Sequence, residues 1–277
     1  MPAFIDQTGQ KIMLNKTPRK IISLVPSQTE LLYDLGLGEE VIGITKFCVH
    51  PEEWFRSKTR VGGTKQLKID QIKELNPDLI IANKEENVKE QIEELEKHFP
   101  VWISHVNNLN DAYEMIEQIG LMINKEQQAQ TLIARIKTNF SKLPTCLTDR
   151  QAPDFRLPTA YLIWQNPYMS VGGDTFINSM MEAAGFENVF KNKNRYPEIS
   201  IEDLLIAHCQ LLLLSSEPFP FKQKHVEELK AVLNKVEGGI KAQVLLVDGE
   251  MFSWYGSRLL KAPDYFKSLI PSLSPSR

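Results

Sequence analysis

Cysteine is scarce in this chain of 277 residues. Its three cysteines, Cys48, Cys146 and Cys209, are far apart and show no Cys-x-x-Cys spacing. A disulfide framework uses an even set of cysteines, and a structural zinc site needs ligands at close, paired spacings. The sequence therefore predicts reduced or buried thiols, with neither a disulfide framework nor a zinc cage.

A long hydrophobic run and a strong net charge are also missing. No apolar stretch approaches the roughly 20 residues of a membrane-spanning helix, and the formal charge is only −3. Because nucleic acids and anionic membranes are bound by clustered Lys and Arg, we expect neither as a partner. The opening residues, MPAFIDQTGQKIML, lack the basic and apolar regions of a signal peptide, which as written predicts a cytoplasmic chain.

Two signatures of catalysis are absent as well. Residues 162–176, LIWQNPYMSVGGDTF, carry a paired glycine where a strand should end, but they lack the lysine of a Walker loop. No Gly-x-Ser-x-Gly nucleophile elbow occurs in the sequence. Asp248 and Glu250 could form a catalytic carboxylate pair, although acids at such a position more often cap a turn. We expect no catalytic residues and no enzyme activity.

Short apolar runs alternate with amphipathic segments along most of the chain. KIISLV, VIGIT, DLIIAN and VWISHV are typical of buried parallel strands, and helical patterns separate them. A long helical stretch covers residues 109–140, where Asn124 could interrupt it, and an irregular segment follows before the alternation resumes at TAYLIW. The pattern predicts an α/β protein with parallel sheets.

An internal repeat is the most informative feature. Residues 69–85, IDQIKELNPDLIIANKE, align without a gap on residues 201–217, IEDLLIAHCQLLLLSSE. SLVPSQTELLYDLGLG also matches SVGGDTFINSMMEAAGF, and VWISHV matches VLLVDG, in the same order. We infer two similar parallel-sheet α/β lobes joined by a long helix. The predicted divisions are residues 1–107, a helical connection at 108–144, and residues 145–277.

Ligands of open α/β sheets bind at the carboxyl ends of the strands, so the loops there should line a cleft between the lobes. These loops are rich in aromatic side chains, which suit a large, flat ligand. Arg258 and Lys224 are candidates for contacts to polar groups of that ligand. The predicted ligand-binding residues are Ser27, Phe47, Trp164, Tyr168, Phe221, Trp254, Tyr255 and Arg258, with Phe219 in the same set of loops.

KIISLVPSQTELLYDLGLGEEVIGIT, KIDQIKELNPDLIIA and PEISIEDLLIAHCQLLLLSSE resemble the class III periplasmic binding proteins, the substrate-binding components of ABC importers for cobalamin, ferric siderophores and haem. WQNPYMSVGGDTF and VDGEMFSWYGSRLLKAPDYF are most similar to the cobalamin-binding branch. The resemblance implies a rigid helical bridge between the lobes. It also implies a cobalamin or other metal-chelate ligand, with no intrinsic cofactor.

The same resemblance implies a partner, an ABC permease dimer whose arginines receive one acidic residue from each lobe. Asp70 and Glu202 occupy those positions, and Asp70 is an aspartate where the family commonly has glutamate. We expect a monomer that meets this partner if it is exported.

Two alternatives stay open. Cys48, His50 and His105 could hold a metal or give a bound metal an axial ligand, although a structural role is more common for so loose a spacing. A cytoplasmic corrinoid- or metal-chelate-handling protein or enzyme on the same fold is the second class of function. The sequence does not distinguish corrin, haem and aromatic chelates, because stacking walls fit all three.

Overall fold

The computed structural model describes residues 3–143, 156–235 and 242–273. The chain divides into two compact units. Unit 1 comprises Met1–Lys137 together with Trp254–Arg258, and unit 2 comprises Thr138–Ser253 together with Leu259–Arg277. The division predicted from the sequence, with a helical connection at residues 108–144 between two lobes, stays a prediction. Among the described residues, no helix is both long and apolar enough to cross a membrane.

Unit 1 is built around a parallel sheet with the strand order β5-β4-β3-β8-β9. Two antiparallel hairpins, β1 with β2 and β6 with β7, accompany it. Its strands are β1 (Ala3–Ile5), β2 (Lys11–Met13), β3 (Ile21–Ser23), β4 (Val41–Ile44), β5 (Thr59–Arg60), β6 (Gly62–Gly63), β7 (Gln66–Leu67), β8 (Leu79–Asn83) and β9 (Val101–Ser104). Its helices are α1 (Pro26–Asp34), α2 (Glu52–Ser57), α3 (Ile69–Leu75), α4 (Lys89–Glu96), α5 (Leu109–Met122) and α6 (Glu126–Phe140), the last of which continues into unit 2.

Unit 2 contains a second parallel sheet, with the strand order β11-β10-β12-β13. Its strands are β10 (Leu157–Leu162), β11 (Phe186–Asn188), β12 (Leu211–Ser215) and β13 (Gln243–Val247). Its helices are α7 (Phe176–Ala183), α8 (Ile201–Ile206), α9 (Gln223–Lys235), α10 (Glu250–Ser253) and α11 (Ala262–Leu273). A 3-10 turn at Ser257–Leu260 lies between the last two helices.

The central strands explain the apolar runs of the sequence. Every residue of β8 and of β12 is buried, as expected for parallel strands with neighbours on both sides and helices on both faces. In unit 1 the core includes Ile22, Ile72 and Ile80. In unit 2 it includes Leu162, Leu212 and other side chains of the sheet and its helices. The predicted parallel α/β fold is confirmed.

The helical stretch that the sequence predicts over residues 109–140 is two helices. Asn124 adopts a left-handed conformation, φ 58°, between α5 and α6, and so interrupts the stretch. Asparagine tolerates this conformation because its short polar side chain can form local hydrogen bonds. Gly120 permits the close approach of α6, because a Cβ there would collide with the Cβ of Ala129. The predicted irregular segment that follows, including Cys146, lies mainly outside the described residues.

Candidate functional site

Trp164 lies just past the carboxyl end of β10 in unit 2. Its backbone pairs with Met169 in a tight turn: the N–H of Met169 donates to the Trp164 carbonyl (3.2 Å), and the N–H of Ile163 donates to the Met169 carbonyl (3.0 Å). The Trp164 side chain is 41% exposed. An exposed indole on a hydrogen-bonded turn is a surface that a flat, apolar ligand can contact.

Behind Trp164 lies an aromatic cluster. The Phe219 ring meets the indole edge to face at 5.7 Å between centroids, and Phe221 meets Phe219 at 4.8 Å. Tyr168 is half-buried against the same core, and burial raises the pKa of its hydroxyl. Phe221 itself is only 6% exposed and belongs to the hydrophobic core. Packing therefore accounts for Phe221, and its ligand role stays a prediction.

The paired glycine that follows serves a close approach of two backbones. A Cβ on Gly172 would collide with the carbonyl oxygen of Lys193, and one on Gly173 with that of Lys191. The glycine N–H groups instead form backbone hydrogen bonds, from Gly172 to the Arg195 carbonyl (2.7 Å) and from Gly173 to the Lys193 carbonyl (3.1 Å). These N–H groups are thus engaged by the chain itself rather than directed at a phosphate.

In unit 1, a buried network of amides and hydroxyls lies at the carboxyl ends of β8 and β9. Ser104 Oγ accepts from Gln28 Nε2 (2.5 Å) and from Asn83 Nδ2 (3.0 Å). The Asn83 side chain in turn accepts from the N–H of Glu85 (2.8 Å), while Asn87 Oδ1 accepts from the N–H of Asn83 (2.9 Å). The network fixes the turn after β8. This network was not predicted from the sequence, although two Asn residues four positions apart at the end of a strand are typical of such a turn.

The segment Trp254–Arg258 packs within unit 1, although it follows α10 of unit 2 in the chain. Arg258 Nε donates to Glu30 Oε2 across 2.8 Å, and both side chains are buried. The guanidinium also lies over the Trp254 ring, 4.8 Å from its centroid. Arg258 is therefore held by an internal ion pair, and its proposed contact with a ligand stays untested.

Two other predicted ligand residues pack beside that ion pair. The Tyr255 hydroxyl donates to Glu86 Oε1 (3.3 Å), and burial, followed by the Glu86 charge, raises its pKa well above the ordinary value. Ser27 is buried at the start of α1, and a Cβ on Gly256 would lie 2.5 Å from its carbonyl oxygen. The structure thus brings Ser27, Trp254, Tyr255 and Arg258 together in unit 1.

Phe47 follows β4, is 51% exposed, and has Lys46 Nζ over its ring at 5.0 Å. Cys48 beside it is fully buried and shares hydrogen-bond distances with the hydroxyls of Thr29 (3.1 Å) and Thr45 (3.2 Å). Burial raises the pKa of this thiol to about 11, so it is neutral at physiological pH. The structural role favoured for Cys48 agrees with this packing.

The two histidines of the possible metal site have other neighbours. His50 packs edge to face on Trp254 at 5.7 Å, and His105 Nε2 lies 3.3 Å from Asn107 Nδ2. Within the part of the chain that the structure describes, no three His, Cys, Asp or Glu side chains form a group that could hold a metal ion.

The acidic residues that the sequence singled out lie at the starts of helices or turns. Asp70 and Glu202 are exposed in the first turns of α3 and α8. In α8 the cap is formed by Ser200 and Asp203, which leaves Glu202 without a capping role. Asp248 Oδ1 accepts from the N–H of Glu250 (3.1 Å). Asp248 therefore caps the turn, as acids at such a position more often do.

Residues 21–237 match the family of periplasmic binding proteins. The chain belongs to this family. It is 27% identical over 203 residues to a vitamin B12-binding protein of Vibrio campbellii, covering 73% of this chain and 72% of that protein. It is 25% identical to an uncharacterised ABC transporter substrate-binding lipoprotein of Bacillus subtilis, covering 95% and 86%.

The fold is shared with solved members of the family. The periplasmic vitamin B12-binding protein of Vibrio cholerae superposes with a TM-score of 0.69 at 20% identity, covering 94% of this chain and 99% of that one. The family consists of solute-binding proteins rather than enzymes, as the sequence predicted.

One expectation was wrong. The opening residues predicted a cytoplasmic chain, but members of its family are periplasmic, and the Bacillus subtilis relative is a lipoprotein. The error has a simple cause: the expectation was based on the first residues alone, whereas the family match covers residues 21–237.

Proposed function

We propose that this protein is the substrate-binding component of an ABC-type importer and that its ligand is a metal chelate, either cobalamin or a related corrinoid, haem or ferric siderophore. It would deliver the chelate outside the cytoplasm to a dimeric permease. Family membership supports the binding role, and similarity to vitamin B12-binding proteins of Vibrio supports this class of ligand. The chelate would be cargo rather than a resident cofactor.

The single observation that carries the ligand proposal is the exposure of the Trp164 indole. Most large apolar side chains of unit 2 are buried, yet this indole is 41% exposed on a hydrogen-bonded turn at the carboxyl end of β10. Carboxyl ends of parallel strands are where α/β proteins bind ligands. An indole in that place presents a flat, polarisable face to a conjugated ring or to the apolar edge of a chelate.

Phe47 is the corresponding exposed aromatic side chain in unit 1. It is 51% exposed and lies three residues past the carboxyl end of β4, with Val49 also exposed nearby. Exposed apolar side chains scattered singly need no explanation, but those at strand carboxyl ends lie where a ligand is expected. Trp164 and Phe47 are therefore the first residues to test, ahead of the buried Phe221, Tyr255 and Arg258.

Docking to the permease is assigned to Asp70 and Glu202. Both are exposed, and each occupies the second position of its helix in one of the two repeats. A pair of like charges on a protein with internal repeats is complementary to a pair of arginines on a two-fold symmetric partner.

The experiment that tests the ligand class uses the chromophore of the ligand itself. Purified protein is incubated separately with cyanocobalamin, haemin and a ferric hydroxamate, desalted, and its visible absorption spectrum recorded. We expect one of the three to be retained at close to one equivalent. If folded protein retains none of them, the metal-chelate proposal is wrong.

A further inference from the structure

Phe219 stands directly against Trp164, the side chain on which the proposed function rests. The two rings meet edge to face, with centroids 5.7 Å apart and planes inclined by 66°. This is a preferred geometry for a pair of aromatic rings. Phe219 is partly buried, so one side of it belongs to the core of unit 2 while another side meets the exposed indole.

The local sequence holds the backbone of Phe219. It lies between Pro218 and Pro220, and proline both fixes its own φ and restricts the preceding residue to extended conformations. The N–H of Phe219 donates to the carbonyl of Ile163, the residue before Trp164, across 3.3 Å. The backbones that carry the two rings are therefore linked one residue away from the indole.

The ring of Phe219 is held from behind by two further rings. Phe221 lies 4.8 Å away between centroids, and His225, at the start of α9, lies 5.3 Å away. The imidazole is itself fixed, because the N–H of Lys222 donates to His225 Nδ1 across 2.8 Å. Phe221 and His225 are both buried. Phe219 is thus a supported ring and not a mobile one.

The turn that carries Trp164 does not by itself fix the orientation of the indole ring. The hydrogen bonds with Met169 fix its backbone but leave its side-chain torsions to be decided by what the ring touches. An exposed, unsupported indole samples several rotamers. A ligand that binds only one of them binds more weakly, because ordering the side chain costs conformational entropy.

From this we infer that Phe219 is a positioning residue for ligand binding: it holds the Trp164 indole in one orientation, so that a face of the ring is ready for the ligand. The inference rests on the proposed function, since it assigns Phe219 a part in the same binding site. It goes beyond that function by separating the residue that touches the ligand from the residue that orients it.

The matched variants are Phe219→Leu, which keeps an apolar side chain but removes the ring, and Phe219→Tyr, which restores the ring. We expect Phe219→Leu to bind the retained chelate roughly three- to tenfold more weakly, as for the ordering of one large side chain on binding. Phe219→Tyr should bind as the native protein does. Ile206→Ala, at the exposed end of α8 in the same unit, is the control for a loss of apolar surface.

A second readout follows the indole without any ligand. The chain contains four tryptophans, so protein labelled with 5-fluorotryptophan gives a fluorine NMR spectrum in which the Trp164 signal is identified by its loss in Trp164→Phe. In Phe219→Leu we expect this signal to shift and narrow, because a neighbouring ring is gone and the indole moves faster. The signals of the other three should stay in place, and Phe219→Tyr should recover the native position.

The outcomes separate the two proposals. If the native protein retains no cyanocobalamin, haemin or ferric hydroxamate, the proposed function fails. If it retains one, but Phe219→Leu binds that chelate as well as the native protein, or leaves the Trp164 signal unchanged, the positioning role is wrong. A shifted Trp164 signal with weakened binding, both recovered by Phe219→Tyr, supports it.

Discussion

The guanidinium of Arg258 and the carboxylate of Glu30 form a buried ion pair across 2.8 Å, between residues 228 positions apart in the sequence. The pair joins the segment Trp254–Arg258 to α1 within unit 1. Since the Trp254 ring covers the guanidinium, the charge is shielded from water on that side as well.

Removing one partner of this pair should destabilise the protein strongly. Arg258→Met leaves the Glu30 carboxylate buried without its cation, a change that costs roughly 3–5 kcal/mol in comparable cases. The double variant Arg258→Met with Glu30→Leu should recover much of that loss, because it removes both charges. The measurement is urea unfolding of the native, single and double variants. Equal losses in the single and double variants would show that the pair is not coupled.

Stability should fall at alkaline pH because of two buried thiols. Burial raises the pKa values of Cys48 and Cys209 to about 11, from an ordinary value of 9.0. The native state therefore binds these protons more tightly than the unfolded chain does. The stabilisation is complete below pH 9 and is lost as the pH rises through about 11.

Cys48→Ala tests this directly. We expect its unfolding free energy to decline less steeply than that of the native protein between pH 9 and 11, even though the variant starts from a lower value because a buried side chain has been cut back. Parallel curves for the two proteins over this interval would contradict the assignment.

Gly173 should not tolerate a side chain. A Cβ there would collide with the carbonyl oxygen of Lys191, which is backbone and has little freedom to move. We expect Gly173→Ala to lower the free energy of unfolding by roughly 1–3 kcal/mol, as overpacking does. Gly38→Ala is the control, because a Cβ there meets nothing within 4 Å. Similar urea midpoints for both variants would show that the glycine pair is not needed for this close approach.

The repeat is the part of the fold that the sequence predicted best. The aligned positions Asn76, the C-cap of α3, and His208, which follows the C-cap of α8, are both left-handed, with φ values of 48° and 49°. Gly36 and Gly185 also match, at 83° and 82°. The ungapped alignment pairs Asn76 with His208, whereas Gly36 and Gly185 belong to the second match, which needs a gap. Left-handed residues at helix ends depend on local residue type, which is why both matches are visible in the sequence.

Long-range contacts were not predictable in the same way. The Arg258–Glu30 pair joins residues far apart in sequence, so nothing local showed that Arg258 was already engaged inside unit 1. Phe221 was assigned to a ligand wall from its loop position, but its burial depends on α9 and the sheet packing around it. Residue type and loop position thus locate candidate side chains, whereas burial and pairing decide which of them are accessible.

A docking role of Asp70 and Glu202 can be distinguished from a role in stabilising their helices. Asp70→Asn together with Glu202→Gln should leave chelate binding unchanged and lower stability only slightly, because α8 keeps its Ser200–Asp203 cap. Association with the permease should weaken, most clearly at low salt, where charge attraction is least screened.

Glu74→Gln is the matched control for that experiment, since it removes one exposed negative charge from the same helix α3 without changing its first turn. The measurement is co-purification with the detergent-solubilised permease. Native-like association of the Asp70 and Glu202 double variant would assign both carboxylates to helix stabilisation alone.

The central claim is that a metal chelate binds against Trp164, and quenching of tryptophan fluorescence tests it most directly. Titration with the retained chelate should quench the native protein with one-to-one stoichiometry. Trp164→Ala should bind more weakly by roughly 1–3 kcal/mol, as for an aromatic anchor, while Tyr33→Ala, an exposed aromatic on α1, should bind as the native protein does. Unchanged affinity in Trp164→Ala would contradict the claim.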